Sequence, residues 1–263
     1  MSYHAFNRAI VRTPSVSVVD GLRAVDVGAP IYEDVLAEHA AYVAALERAG
    51  VRVETLPPLD AFPDAIFVED TALVFTHAAI LLRPGAATRR GETEGMRETL
   101  DRTFERVLHL RSGTAEGGDV LSTPREVFIG TSARTSVEGA AALVALLADI
   151  GLRGTVVQTP PGVLHLKSDC SMLDEETILC TPRLAAAEPF PGFRLILTPE
   201  REEGAANALR IGDKVFISAD FPRSAELLGQ AGYRVKPLKT REIAKIDAGL
   251  SCMSLRWRNP SCH

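Results

Sequence analysis

The chain has 263 residues, of which 46% are hydrophobic and 24% charged, with a formal net charge of −5. This composition is typical of a globular protein, and its acidic balance argues against binding to nucleic acid. The sequence lacks the roughly 18 uninterrupted apolar residues of a membrane helix, the layout of a secretory signal and any CxxC pair typical of zinc sites. We therefore expect a single domain over residues 1–263, a cytoplasmic location, and no membrane or nucleic-acid partner.

Four segments have the pattern of a β-hairpin, which is a strand, a turn and a second strand. They cover residues 65–82, 116–130, 167–180 and 205–218. A fifth unit can be assembled from the two ends of the chain, because the run at 249–257 and the run at 9–12 are both short and apolar.

Helical patterns separate these hairpins, with apolar residues spaced by three and four. They cover residues 37–49, 94–104, 136–150 and 224–230. The units recur about every 40 to 50 residues, a period that points to a propeller or an array. We predict an α/β fold in which about five hairpin-plus-helix units close into a ring. A non-repeating α+β domain is the alternative.

Three residues in separate segments could form a nucleophilic site. Cys252 follows Gly249-Leu250-Ser251, His165 interrupts the apolar run at 163–166, and Glu116 precedes a Gly-Gly pair. A thiol is a nucleophile only as a thiolate, so Cys252 needs a base or a positive charge nearby. Each residue also has a plainer interpretation: a buried cysteine, a hydrogen-bonded core histidine and an exposed acid at a hairpin corner.

Acidic and basic residues indicate a ligand with charges at both ends. Glu69 and Asp70 lie in an expected strand, where adjacent side chains face opposite ways, so one of them should point inward. Asp64 precedes them, while Arg89 and Arg134 occupy loops and could bind a carboxylate. This set suits an amino acid that carries a distal cation.

The ordered motifs resemble those of the dimethylarginine dimethylaminohydrolase family, in the guanidino-group-modifying superfamily of five-bladed α/β propellers (the pentein fold). The resemblance covers nearly the whole chain. It is carried by Phe62-Pro63-Asp64, Phe67-Val68-Glu69-Asp70, Arg89-Arg90-Gly91-Glu92, Glu116-Gly117-Gly118-Asp119, Ser132-Ala133-Arg134-Thr135, Leu164-His165-Leu166-Lys167-Ser168, Ala205-Ala206-Asn207 and Leu250-Ser251-Cys252.

The resemblance implies hydrolysis of Nω-methylated arginine to citrulline and a methylamine, with no metal and no cofactor. Cys252 would be the nucleophile, His165 the general acid and base, and Glu116 the residue that orients His165. The implied substrate contacts are Asp70, with Glu69 nearby, for the guanidinium; Asp64 and the Leu22 carbonyl for the α-amino group; Arg89 and Arg134 for the α-carboxylate; and Phe67 and the Ile246 backbone beside the substrate.

Several alternatives stay open at this point. An arginine deiminase, an amidinotransferase or a hydrolase of another substituted guanidine would use the same cysteine. A propeller that only senses arginine-like ligands is the non-enzymatic alternative. The expected partner is a small-molecule substrate, and a homodimer is also considered.

Overall fold

The computed structural model describes residues 4–260, and within them the chain forms five three-stranded sheets. The α-helices are α1 (Tyr32–Arg48), α2 (Glu94–Thr103), α3 (Val137–Asp149), α4 (Pro182–Ala185), α5 (Pro222–Gln230) and α6 (Arg241–Ala244). The strands are β1 (Arg8–Arg12), β2 (Arg52–Leu56), β3 (Ala72–Val74), β4 (Ala78–Leu81), β5 (Arg106–His109), β6 (Val120–Ser122), β7 (Val127–Thr131), β8 (Gly154–Gln158), β9 (Cys170–Met172), β10 (Thr177–Cys180), β11 (Arg194–Leu197), β12 (Leu209–Ile211), β13 (Lys214–Ser218), β14 (Arg234–Leu238) and β15 (Leu255–Trp257).

Each sheet is one blade of a propeller. In four blades an antiparallel pair of strands is followed by a helix and then by a third strand, parallel to the second: β3-β4-β5, β6-β7-β8, β9-β10-β11 and β12-β13-β14. A parallel pairing needs a crossover connection, which α2, α3, α4 and α5 supply. The predicted five-bladed α/β propeller is confirmed, although the sequence patterns did not predict the third strands or α4.

The fifth blade joins the two ends of the chain. β15 pairs antiparallel with β1, with Arg8 opposite Trp257, and β1 pairs parallel with β2 across the crossover helix α1. The predicted sharing of one blade by the segments at 9–12 and 249–257 is therefore confirmed. Since the last described strand completes the first blade, the ring is closed by backbone hydrogen bonds.

Short 3₁₀ helices replace the beginnings of the expected first strands. They are Val68–Thr71, Gly117–Asp119, Leu166–Ser168 and Glu203–Ala206. The expectation that Glu69, Asp70, Glu116 and His165 lie on strands is wrong. Glu69 and Asp70 belong to the first of these helices, whereas Glu116 and His165 each directly precede one. Pairing with the second strand of each blade begins only after the 3₁₀ turn, so the turn residues are free to face the centre of the ring.

The helices pack on the outside of the blades through apolar faces. In α3, Leu143 and Leu147 are fully buried in one cluster with Ile129 of β7. Ser136 caps this helix, because its hydroxyl accepts a hydrogen bond from the Gly139 N–H at 3.0 Å. Such packing fixes the blades and hence the turns at the centre. Of the helices in residues 4–260, none is long and apolar enough to span a membrane.

Candidate active site

A cavity of about 170 Å³ gathers the predicted site residues at one end of the ring. All of them except Glu69 and Glu116 line it, namely Leu22, Asp64, Phe67, Asp70, Arg89, Arg134, His165, Ile246 and Cys252. The thiol and the imidazole, which are far apart in the sequence, therefore face one small space.

His165 is held by two carboxylates. Its Nε2 lies 2.7 Å from Oε2 of Glu116 and 4.0 Å from Oδ1 of Asp70. Glu116 has no exposed surface, and its Oε1 accepts hydrogen bonds from the backbone N–H groups of Gly85, at 2.9 Å, and Ala86, at 3.2 Å. The carboxylate that orients the imidazole is thus itself fixed by a loop.

The charges in this group oppose the effect of burial. Burial on its own would lower the pKa of His165, but the charge of Asp70, the hydrogen bond with Glu116 and the charge of Asp119 raise it above its ordinary value. Burial would raise the pKa of Asp70, but the charges of His165 and Arg89 outweigh it and lower that pKa to about 2. The charges around His165 therefore favour its protonated form, which is the form that a general acid needs.

Two consecutive glycines allow this close approach. A Cβ on Gly118 would lie 2.7 Å from both Cγ and Nδ1 of His165, and a Cβ on Gly117 would lie 2.0 Å from the carbonyl oxygen of Glu69. Any side chain at position 118 would displace the imidazole. The Gly-Gly pair after Glu116 is thus a packing requirement of the site.

Cys252 lies in the turn between α6 and β15. The Gly249 N–H donates to its Sγ at 3.5 Å, and its carbonyl accepts from the Glu69 N–H at 3.1 Å. Burial, together with the charges of Glu69 and Asp70, raises the pKa of Cys252 to about 12. Without a further positive charge the group stays a thiol, so a cationic ligand beside it would favour the thiolate.

Asn207 is a neighbour of Cys252 to which the sequence analysis assigned no role. Its Oδ1 accepts from the Ser251 N–H at 2.9 Å, and its Nδ2 donates to the Lys167 carbonyl at 3.0 Å. The same Nδ2 lies 3.9 Å from Sγ of Cys252. Asparagine carries no sequence signal for such a role beyond its place in the Ala205-Ala206-Asn207 motif.

Asp64 and Leu22, predicted to bind one group of the substrate, are in contact. The Leu22 N–H donates to Oδ1 of Asp64 at 2.9 Å. Burial raises the pKa of Asp64 even though the Arg89 charge and this hydrogen bond oppose it. A buried carboxylate with a raised pKa gains from a cation placed against it, and an ammonium group is one such cation.

Arg89 and Arg134 differ in how many of their N–H donors already bond to other groups of the protein. Arg89 is buried, and all three of its nitrogens donate within the protein, to Asp70 at 2.5 Å, to Glu92 at 2.8 Å and to the carbonyls of Asp64 and Phe67. Arg134 is partly exposed, and its Nη1 lies 3.4 Å from Oε1 of Glu116. A ligand carboxylate can reach Arg134 directly but would have to share the donors of Arg89.

Glu69 is not among the residues that line the cavity with Cys252. Its carboxylate lies 2.5 Å from Nζ of Lys167, 3.2 Å from Nη2 of Arg256 and 2.8 Å from Oγ of Ser251. It lines a second cavity, of about 810 Å³, together with first strands of the blades. A 3₁₀ helix turns adjacent side chains by about 120°, which separates Glu69 from Asp70. Glu69 nevertheless lies close enough to Cys252 for its charge to raise the pKa of that thiol, so its place in the same acidic site as Asp70 stays a prediction.

Asp70, Glu116 and His165 could in principle bind a metal ion, since one atom of each lies within 4.8 Å of the others. Two of these groups already contact arginines: Asp70 pairs with Arg89, and Glu116 lies near Arg134. A divalent cation would have to compete with these positive charges. The predicted absence of a metal stays a prediction.

The ring of five blades and the cavity shared by a thiol, an imidazole and carboxylates define a pentein-fold protein of the guanidino-group-modifying class. The family model for eukaryotic N,N-dimethylarginine dimethylhydrolase matches residues 27–167. The chain belongs to the dimethylarginine dimethylaminohydrolase family.

Relatives and solved structures agree with this assignment. The chain is 41% identical to the N(G),N(G)-dimethylarginine dimethylaminohydrolase of Pseudomonas aeruginosa, over 96% of this chain and 100% of the relative. It is 35% identical to the protein of that name from Streptomyces coelicolor, over 95% and 97%. A cysteine-to-serine mutant of the Pseudomonas enzyme, complexed with citrulline, superimposes with a TM-score of 0.92 and covers 95% of this chain and 99% of that one. The N-terminal domain of a cyanobacterial arginine dihydrolase, 18% identical, shares the fold with a TM-score of 0.84.

Proposed function

We propose that this protein hydrolyses Nω,Nω-dimethyl-L-arginine, and Nω-monomethyl-L-arginine, to L-citrulline and dimethylamine or methylamine. The observation that carries the proposal is the single cavity shared by Cys252, His165 and Asp70 in a member of this family. Two close relatives carry the name of this activity.

The charges around the cavity support one orientation of the substrate. Asp70 is ionised at the inner wall and suits the guanidinium, while Asp64 with the Leu22 carbonyl suits the α-amino group. Arg134, which is partly exposed, suits the α-carboxylate, and Arg89 would reach it only by sharing donors. Phe67 and Ile246 are apolar walls for the methylene chain between these ends.

In the first step, the Cys252 thiol loses its proton to solvent as the cationic substrate binds, and Sγ of the resulting thiolate attacks the guanidinium carbon. The substrate's positive charge offsets the effect of Glu69 and Asp70, the neighbours that raise the pKa of Cys252. The C–N bond to the methylated nitrogen then breaks, and protonated His165 gives its proton to that nitrogen. The amine leaves, and a covalent S-alkylthiouronium stays on Cys252.

In the second step, His165 is neutral and accepts a proton from water as the water attacks the same carbon. The C–S bond then breaks, the hydroxyl proton of the adduct passes to the leaving sulfur, citrulline forms and Cys252 is released as a thiol. The hydrogen bond to Glu116 keeps the imidazole in place through both steps. One residue thus serves as acid and then as base.

The test is release of citrulline by the purified protein from asymmetric dimethylarginine and, separately, from arginine. We expect the methylated substrate to react faster and the Cys252→Ser variant to be inactive while keeping its circular dichroism spectrum. Faster turnover of arginine would favour a deiminase, and a requirement for an added amine would favour an amidinotransferase. Binding of radiolabelled dimethylarginine without turnover would favour a sensor.

We also propose that the enzyme works in the cytosol. Three cysteines are free in residues 4–260, and Cys170 and Cys180 among them are fully buried. Such thiols are compatible with a reducing compartment. The homodimer stays a prediction, which sedimentation equilibrium of the purified protein checks.

A further inference from the structure

We propose that Asn207 is a positioning residue for the nucleophile, one that fixes Cys252 relative to His165 and directs an amide N–H toward its sulfur. This inference rests on the proposed function for its effect on turnover. Its effect on the thiol itself can be measured without any substrate.

Asn207 connects the two segments that carry the reacting groups. Its Oδ1 receives the N–H of Ser251, the residue before Cys252, and its Nδ2 donates to the carbonyl of Lys167, two residues after His165. One planar carboxamide therefore sets the separation of the two chain segments. The positions of the thiol and the imidazole depend on this separation because the two segments carry them into the same cavity.

The hydrogen bonds leave one orientation for the carboxamide. A backbone N–H must meet the oxygen, and a backbone carbonyl must meet the NH₂ group. The second N–H of that NH₂ is then available to Cys252, whose Sγ lies 3.9 Å from Nδ2. A donor at this place stabilises a thiolate more than a thiol, since it bonds to the charged form.

Gly249 makes a third contact with Asn207, in addition to those of Ser251 and Lys167. A Cβ on Gly249 would lie 2.3 Å from Cγ of Asn207, so the carboxamide packs directly on the backbone of the turn that contains Cys252. Gly249 is not among the glycines with a positive φ, so this close contact accounts for a glycine here. Ser251 is fixed again through its hydroxyl, which bonds to Glu69 at 2.8 Å.

The chain offers a matched control for a merely structural asparagine. Asn7 also joins two distant segments with both ends of its carboxamide, since Nδ2 donates to the Asn259 carbonyl at 2.9 Å and Oδ1 accepts the Asn259 N–H at 2.7 Å. It lies beside β1, in the blade that joins the chain ends, and does not line the cavity of Cys252. Asn7→Asp therefore makes the same chemical change away from the nucleophile.

The experiment compares Asn207→Asp, Asn207→Ala and Asn7→Asp. For both Asn207 variants we expect kcat for dimethylarginine to fall about 100-fold with KM changed less than about threefold, as for a misplaced reacting group. In Asn207→Asp, a carboxylate replaces the donor, so the rate at which iodoacetamide alkylates Cys252 at about pH 9 should fall about tenfold. Asn7→Asp should keep the wild-type kcat and alkylation rate.

Two results would overturn the proposal. One is a kcat within about threefold of wild type in both Asn207 variants. The other is an unchanged alkylation rate in Asn207→Asp together with a loss of activity that is proportional to the fall in melting temperature. That combination would identify Asn207 as a merely structural asparagine. If neither variant folds, Gly249→Ala displaces the intact carboxamide and is assessed by the same two rates. If the wild type fails to hydrolyse dimethylarginine, the proposed function fails while the alkylation rates still test Asn207.

Discussion

Nε2 of His165 lies 2.7 Å from Oε2 of Glu116, a carboxylate with no exposed surface. The bond occupies Nε2, so Nδ1 is the ring nitrogen left for proton transfer. Since Gly85 and Ala86 hold the other oxygen of Glu116, a loop outside the cavity sets the direction of the imidazole.

Replacing Glu116 by glutamine should move the pH dependence of turnover. In the wild type, Glu116 helps to raise the pKa of His165. Without its charge the effect of burial is less opposed, so the pKa of His165 should fall in the variant. Protonated His165, which expels the amine, is then lost at lower pH, so the high-pH limb of kcat shifts down in pH. At about pH 8 we expect kcat to fall about 100-fold. The control is Glu126→Gln, because Glu126 pairs with the exposed Arg153. Superimposable profiles of Glu116→Gln and wild type would contradict this role.

Gly118→Ala should impair catalysis more than folding. The added Cβ would lie 2.7 Å from Cγ of His165 and 3.0 Å from Oδ1 of Asp70, so the imidazole must move. We expect kcat to fall at least about 100-fold, because displacements of about 1 Å have this effect. Gly229→Ala is the control, since a Cβ there meets nothing within 4 Å and its helix should gain stability. Steady-state kinetics and thermal melting of both variants separate an effect on catalysis from an effect on folding. A normal kcat in Gly118→Ala would refute the packing explanation.

Arg89→Ala and Arg134→Ala should have different effects. Loss of Arg89 leaves the buried carboxylates of Asp70 and Glu92 without their cation, which should cost about 3 to 5 kcal/mol in the free energy of unfolding. Loss of Arg134 should change stability by less than about 1 kcal/mol but raise KM at least tenfold. Arg134→Ala should also lose the preference for dimethylarginine over its decarboxylated analogue. Urea unfolding and kinetics with both substrates measure these effects, and an unchanged preference would exclude Arg134 from carboxylate binding.

A cationic alkylating reagent should modify Cys252 selectively. Burial and acidic neighbours raise the pKa of Cys252 to about 12, so a neutral reagent meets a thiol, whereas a chloroacetamidine brings its own positive charge. We expect it to inactivate faster than iodoacetamide at about pH 7. Peptide mass spectrometry should find the label on Cys252 and not on the buried Cys170 and Cys180, nor on Cys262, which lies outside the described residues. Label on another cysteine, or equal rates for the two reagents, would contradict the assignment.

Much of the ring could be predicted from sequence because the middle strand of each of four sheets is apolar and these strands are evenly spaced along the chain. β4, β7, β10 and β13 consist largely of buried residues between turn signals, and α3 shows a regular apolar face. The third strands of the blades escaped prediction because they are half exposed and carry mixed side chains, as in β5 and β14. α4 is only four residues long, too short for a period to show.

The site was predicted in its members but not in its contacts. Cys252, His165 and Asp70 do line one cavity, as expected from the motifs. The sequence could not show that Glu69 and Asp70 lie in a 3₁₀ turn, because a short apolar run also has the pattern of a strand. The hydrogen bonds of Arg89 to Asp70 and to the Asp64 carbonyl join segments that are distant in the sequence. Such contacts leave no local sequence pattern.

The pairing of β15 with β1 has a consequence for how the enzyme is made. Of the described strands, β15 emerges last from the ribosome, and it directly follows the turn with Cys252. During translation four blades can assemble while the circle is still open and the thiol has not yet joined its partners. The site is therefore complete only when the end of the chain has paired with β1, because Cys252 lies just before the strand that makes this pairing.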